Sequence, residues 1–188
     1  MNRSCRAIVA VPLAAALVAP AAADDCVGPG SAAEYASRHG RDRLEFDVLR
    51  NGKRVGQHVT RFSRDGGYLV VESEMTLRIR LLFIDAYRYR YAATERWCDG
   101  RLVDLEARVD ANGDRSTIAA QARGDALEVV GPHGTVAAPL GVFSTNHWHA
   151  GVLDAETVLN TLTGRINQVR IEACATPHPD SVFSTVSA

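Results

Sequence analysis

The chain is poor in the features that announce a chemistry. Aromatic residues make up 6% of its 188 residues, and it holds 4 cysteines and 2 methionines. No C-x-x-C pair occurs, which excludes a thioredoxin-like dithiol site. There is no G-x-S-x-G elbow, no phosphate-cradling glycine loop and no dinucleotide fingerprint. Basic residues are not in excess: 21 Lys and Arg stand against 22 Asp and Glu, a formal charge of −1. A nucleic-acid-binding domain is basic overall, so no nucleic-acid partner is expected. After the N-terminal segment no apolar stretch reaches membrane-spanning length.

What is present begins at the N-terminus. Asn2-Arg3-Ser4-Cys5-Arg6 is a short positive segment, and Ala7 to Val18 is an apolar run without charge. Ala21-Ala22-Ala23 is a small-residue cleavage site, followed at once by Asp24-Asp25. This order of segments reads as a secretory signal peptide over 1–23 and predicts a mature, soluble chain in the periplasm or outside the cell. Arg3 and Arg6 leave with the signal peptide, so the formal charge of the remainder drops from −1 to about −3. Three cysteines remain, Cys26, Cys98 and Cys174, in a compartment that permits disulfides. An odd count allows one intramolecular pair. Cys26 with Cys98 would tie the N-terminal arm to the body, and Cys98 with Cys174 would close the domain. The sequence does not choose. The acidic pair before Cys26 does not suit a lipid-anchor site.

Residues 24–43 form a small-residue lead-in, with one short helical turn expected at Ser31 to Ser37. From Leu44 to Ala173 the pattern is that of a single β domain. Leu44, Phe46 and Val48 alternate with Glu45, Asp47 and Leu49, and Asn51-Gly52 supplies a hairpin turn. Further turn signals follow at Asp65-Gly66-Gly67, Cys98-Asp99-Gly100, Asn112-Gly113 and Gly124-Asp125, about every ten residues. A bend near Ile84-Asp85-Ala86 is expected to separate the run Tyr68–Phe83 from Tyr87–Trp97. The expected fold is mainly β: a curved antiparallel meander, as a half-barrel or open barrel, with one short helix near the C-terminus. Asp154 would cap that helix over Leu153 to Leu162, with Val152, Val158, Leu159 and Leu162 on its buried side. Gly56 marks an expected bulge, and Arg165 to Ala173 a last strand. Residues 174–188, rich in Pro, Ser and Thr, read as a disordered tail or a truncation.

Tyr87-Arg88-Tyr89-Arg90-Tyr91 places three tyrosines on one face of a strand and two arginines on the other. With Arg78 and Arg80 on the preceding strand, Arg80 is expected opposite Arg88, Arg78 opposite Arg90, and Glu72 opposite Arg96. Such a face is either a solvated exterior or a basic surface for an anionic partner. Tyr87, Tyr89, Tyr91 and Trp97 form either core or the lining of an apolar pocket, with Phe143, His147 and Trp148 as further ligand contacts. His147 and His149 share a face if extended, a spacing that suits two zinc ligands. No spacing selects a third among His133, His58 and Asp154, so no metal and no cofactor is assigned. Ser144, His147 and Asp154 are the residue types of a hydrolytic triad, without the turn that exposes a nucleophile.

The stretches Leu82-Phe83-Ile84-Asp85-Ala86-Tyr87-Arg88-Tyr89, Glu95-Arg96-Trp97, Thr145-Asn146-His147-Trp148 and Val158-Leu159-Asn160-Thr161-Leu162-Thr163-Gly164 carry a resemblance. The chain resembles a family of short exported proteobacterial proteins known only as a domain of unknown function. The resemblance implies a periplasmic β-sheet domain and no catalytic residue. His149 stands where the resemblance leads one to expect an asparagine. At the level of fold the chain is similar, more loosely, to periplasmic lipoprotein carriers. The expected function is a non-catalytic binding or carrier-like domain for a lipid or other amphiphile. The alternatives are an envelope hydrolase or metal-dependent enzyme built on His147 and His149, and an interaction module that pairs by a sheet edge. Oligomeric state is not read from the sequence.

Overall fold

The computed structural model describes Cys26 and residues 42–81, 83–146 and 148–172. The signal-peptide segment 1–23, the helical turn expected at 31–37, His147, Cys174 and the tail 174–188 lie outside the described residues.

Eight strands follow one another as a simple meander: β1 Arg43–Arg50, β2 Lys53–Asp65, β3 Tyr68–Leu81, β4 Ile84–Cys98, β5 Arg101–Ala111, β6 Asp114–Arg123, β7 Ala126–Gly131 and β8 Gly134–Pro139. Each pairs antiparallel with its sequence neighbours, and β1 and β8 remain the two edges of an unclosed sheet. Consecutive strands are joined by two residues. The Asn51-Gly52 connection has φ of 52° and 71°, the left-handed pair that matches the twist of the flanking strands.

Period-two patterning puts one set of side chains on the inner face. On β4 these are Tyr89, Tyr91, Ala93, Glu95 and Trp97, all buried, while Arg88, Arg90, Ala92 and Thr94 between them are exposed. Their neighbours across the ladders continue the core: Val71 and Leu69 on β3, Leu102, Leu105 and Ala107 on β5, Ile118 and Ala120 on β6, Leu127 and Val129 on β7.

The chain after β8 covers part of this face. It forms a small sheet of β9 Phe143–Ser144, β10 Thr157–Leu159 and β11 Ile166–Gln168, in which β10 lies between a parallel and an antiparallel partner. The helix expected over 153–162 is not formed. A 3-10 turn, Ala150–Asp154, precedes an extended segment. The reason is local. Asn160 turns its side-chain oxygen to the backbone N–H groups of Leu162 at 2.9 Å and Thr163 at 3.2 Å, which makes a hairpin turn where a helix would need those donors. Val152, Val158 and Leu159 are buried as expected, but Leu162 is exposed.

Register shifts adjust the ladder at three places, between Val48 and Leu49, between Ile79 and Arg80, and between Arg96 and Trp97. The first lies opposite Val55, next to the expected irregularity at Gly56. A side chain at Gly56 would place its Cβ 1.9 Å from the Thr76 carbonyl oxygen, so only glycine lets β3 approach there. Cys26 is buried and disulfide-bonded to Cys98 at the end of β4, which resolves the pairing that the sequence leaves open.

Candidate functional site

Glu95 is the centre of the covered half of the sheet. Its side chain is fully buried and accepts three hydrogen bonds. The indole N–H groups of Trp97 and Trp148 both donate to Oε2 at 2.8 Å, and the Asn146 amide donates to Oε1 at 2.5 Å. Trp97 follows two residues later on the same face of β4, as strand periodicity requires. Trp148 and Asn146 arrive from the loop after β9. No guanidinium, ammonium or imidazolium group pairs with this carboxylate among the described residues. Three N–H donors take the place of a counter-ion.

The donors are arranged in sequence. The Tyr91 hydroxyl lies 2.6 Å from Asn146 Oδ1 and 2.8 Å from Thr161 Oγ1. An amide oxygen only accepts, so the single phenolic proton goes to Asn146 and Thr161 donates to Tyr91. Thr145 Oγ1 stands 3.1 Å from Thr161 Oγ1 and accepts the Thr161 backbone N–H at 3.1 Å. A directed chain therefore runs from Thr145 through Thr161, Tyr91 and Asn146 to Glu95, and fixes which way the Asn146 amide points. Burial pushes the Tyr91 phenol well above its usual range. The hydrogen bond donated by Thr161 opposes that shift and the Glu95 carboxylate adds to it.

Aromatic rings pack around this network. Trp97 and Trp148 meet edge to face at 5.2 Å, Phe62 meets Trp148 at 5.6 Å, and His149 stacks on Trp97 at 5.8 Å. Trp97, Phe143, Ser144, Trp148, His149 and Val152 outline a depression too tight to admit a water molecule. His149 Nδ1 accepts the Gly151 backbone N–H at 2.9 Å, which leaves the hydrogen of the neutral ring on Nε2. Burial holds its pKa below the ordinary histidine value. Among the described residues no group of three or more His, Cys, Asp or Glu is placed to hold a metal ion.

The sequence-predicted ligand contacts thus fall into two places. Tyr91, Trp97, Phe143 and Trp148 lie together under the C-terminal segment. Tyr87 and Tyr89 lie further along the same face toward the β3–β4 turn, with rings 6.3 Å apart and stacked. There the inner row is only half-buried at Met75, Leu77, Ile79, Tyr87, Val109 and Ala111. The Tyr89 hydroxyl is buried and has no hydrogen-bond partner among the described residues. Burial, then the neighbouring Tyr87, raise its pKa.

On the outer face Arg78, Arg80, Arg88 and Arg90 are all exposed, but their register differs from the expected one. The chain turns at 82–83 instead of at 84–86, and a bulge follows between Ile79 and Arg80. Arg78 is therefore opposite Arg88, Arg80 opposite Asp85, and Arg90 opposite Thr76 and Asp110. Asp85 relieves the like-charge contact, 3.0 Å from Arg80 and 3.9 Å from Arg78. Glu72 faces Thr94. Arg96 faces Val70, ion-pairs with Asp65 and lies over the Tyr68 ring.

Glu95, Asn146 and Thr161 were missed as site residues by the sequence reading. Parity alone carried a signal for Glu95, which shares the face of Tyr91 and Trp97 and puts an acid in an apolar row. Nothing in the sequence joins Asn146 and Thr161 to it, because the contacts span 51 to 70 residues.

The arrangement defines a class: an open antiparallel meander whose inner face is half sealed by its own C-terminal segment through a buried carboxylate clasp. Residues 46–180 match the domain of unknown function DUF6134, and the chain belongs to that family. No curated protein and no solved structure matches the chain. Among the described residues no helix is long and apolar enough to cross a membrane.

Proposed function

We propose that this chain is a non-catalytic binding domain that takes the apolar part of a lipid or other amphiphile on the unsealed half of its inner face. The observation that carries the reading is the half-buried row Leu77, Ile79, Tyr87 and Val109 beside the buried Tyr89 hydroxyl, which has no partner among the described residues. An apolar surface continuous with the core is costly to leave wet. A buried hydroxyl without a partner is also unfavourable, and a ligand oxygen would satisfy it. The sealed half would serve as a rigid floor, since its polar atoms are already paired with one another. The Cys26–Cys98 disulfide and the signal-peptide pattern of 1–23 support an oxidising compartment outside the cytosol as the place of action.

Native mass spectrometry of the protein purified from a periplasm, with a denatured control, tests this. A lipid-sized adduct is expected, lost on denaturation and depleted in Tyr87→Asp. Displacement of a fluorescent apolar probe by long-chain amphiphiles is the second readout. A protein that carries no adduct and does not enhance the probe would overturn the reading. Cell fractionation with a cytosolic marker tests the compartment.

A further inference from the structure

We propose that the β3–β4 turn is a membrane-docking arm that seats the protein on an anionic lipid bilayer. This inference goes beyond ligand binding and rests on a different surface. β3 and β4 are the longest strands, with 14 and 15 residues, and they outrun their neighbours. The β2 ladder on β3 ends at Leu77, opposite Gly56, and the β5 ladder on β4 ends at Tyr89, opposite Ala111. Beyond those points residues 78–88 pair only with each other. The base of this two-stranded arm is tethered on one side by Asn112, whose side chain accepts the Arg88 N–H at 2.7 Å and whose own N–H donates to the Arg88 carbonyl at 2.9 Å.

The described residues of the tip, Phe83 and Ile84, are apolar and project into solvent. Phe83 is 101% exposed and Ile84 is 72% exposed, the two highest values among the described large hydrophobic residues. Neither fills the inner face, so neither is needed for the core. Arg80 lies next behind them, opposite Asp85, and Arg78 and Arg88 face each other at the base of the arm; all three arginines are exposed, with Asp85 as the single acid of 78–88. Arg88 has no ion-pair partner among the described residues.

An apolar tip with a collar of guanidinium groups three to five residues behind it along the arm is the profile of an interfacial anchor. The rings and branched chains enter the acyl boundary while the guanidinium groups stay at the level of lipid phosphates. The charge complementarity is local, since the whole chain is slightly acidic. That favours a bilayer bearing phosphate groups over an acidic protein face, which would not need fully projecting apolar side chains. A paired β-ribbon also satisfies most of its own backbone hydrogen bonds at the shallow depth that two residues reach.

Vesicle flotation tests the proposal, with phosphatidylcholine alone compared with phosphatidylcholine mixed with phosphatidylglycerol. The wild type is expected to float with the anionic vesicles at low salt, and less at high salt, as screening weakens the collar. The double variant Phe83→Ser, Ile84→Ser is expected to bind about ten-fold more weakly or worse. Arg88→Gln should lose about five-fold on anionic vesicles only. Both variants should keep the wild-type melting temperature and the wild-type displacement of the apolar probe, which separates this arm from the inner face. Three outcomes would overturn the proposal: no flotation of the wild type, a tip variant that binds as well as the wild type, or equal binding to neutral and anionic vesicles.

Discussion

Trp148 donates its indole N–H to the same oxygen of Glu95 that Trp97 uses, 2.8 Å away in each case, across 53 residues of chain. That one contact draws the loop after β9 onto the fourth strand. It also explains why an acid occupies a position that pattern alone would give to an apolar residue. Removing the carboxylate leaves two indole donors and an amide buried without an acceptor. Glu95→Ala is therefore expected to destabilise the fold by about 3 kcal/mol or more, and Glu95→Gln, which keeps an acceptor for the indoles, by about half as much. Chemical denaturation monitored by tryptophan fluorescence checks the order. Equal stability of wild type and alanine variant would remove the clasp from the account.

Tyr91 links the two threonines to Asn146. Tyr91→Phe should cost about 1–2 kcal/mol, with the packing of the ring retained. Its pH dependence has a definite sign. The folded-state pKa is raised, chiefly by burial, so the folded form holds its phenolic proton after the unfolded chain has lost it. The contribution to stability is complete below the unfolded tyrosine pKa of about 10 and is lost progressively above it. Wild type should lose stability above pH ~10 more steeply than Tyr91→Phe in parallel melts.

His149 works in the acid range. Burial lowers its folded pKa, so the unfolded chain takes up the proton first as pH falls. Stability tied to the neutral ring is present above the unfolded histidine pKa of about 6.5 and is lost as pH drops through the lower folded value. Protonation also places a hydrogen on the nitrogen that accepts from Gly151. The drop in melting temperature between neutral and mildly acidic buffer should be smaller in His149→Asn. An NMR titration in which the His149 ring titrates at or above the free-histidine value would contradict this.

The disulfide fixes Cys26, near the start of the lead-in, to the end of β4, 72 positions further along the chain. Breaking it in Cys26→Ser, Cys98→Ser is expected to cost about 2–4 kcal/mol. Peptide mapping without reductant should recover Cys26 linked to Cys98. Recovery of Cys98 linked to Cys174 instead would refute the pairing.

Gly56 is tested by crowding. Gly56→Ala sets a methyl against the Thr76 carbonyl and the Leu77 side chain, and one of the two strands must move. A loss of about 2 kcal/mol or more is expected, larger than glycine-to-alanine changes in open turns produce. A thermal melt within error of wild type would show that the β2–β3 spacing is looser than described.

Much of the sheet was legible because its signals are local. Alternation set the faces, and turn residues at Asn51-Gly52, Gly66-Gly67, Asp99-Gly100 and Asn112-Gly113 set the hairpins. The β3–β4 turn was read two residues late, because Leu82 and Phe83 carry no turn signature and Ile84-Asp85-Ala86 looked more polar. That error displaced the cross-strand partners of all four arginines. At 153–162 helical spacing of apolar residues misled, since Val158 and Leu159 are buried by strand partners and Asn160 turns the chain.

By itself the sequence determined an antiparallel meander, the side chains on each of its faces and the apolar character of its inner row, since period two and turn chemistry act over a few residues. Only the tertiary structure decided that Glu95 takes its donors from Trp97, Trp148 and Asn146, that Cys26 pairs with Cys98, and that Phe83 and Ile84 project beyond the sheet. Those outcomes depend on strand ends and on contacts between residues far apart in the chain, where the geometry of closure sets the partner and local pattern has no influence.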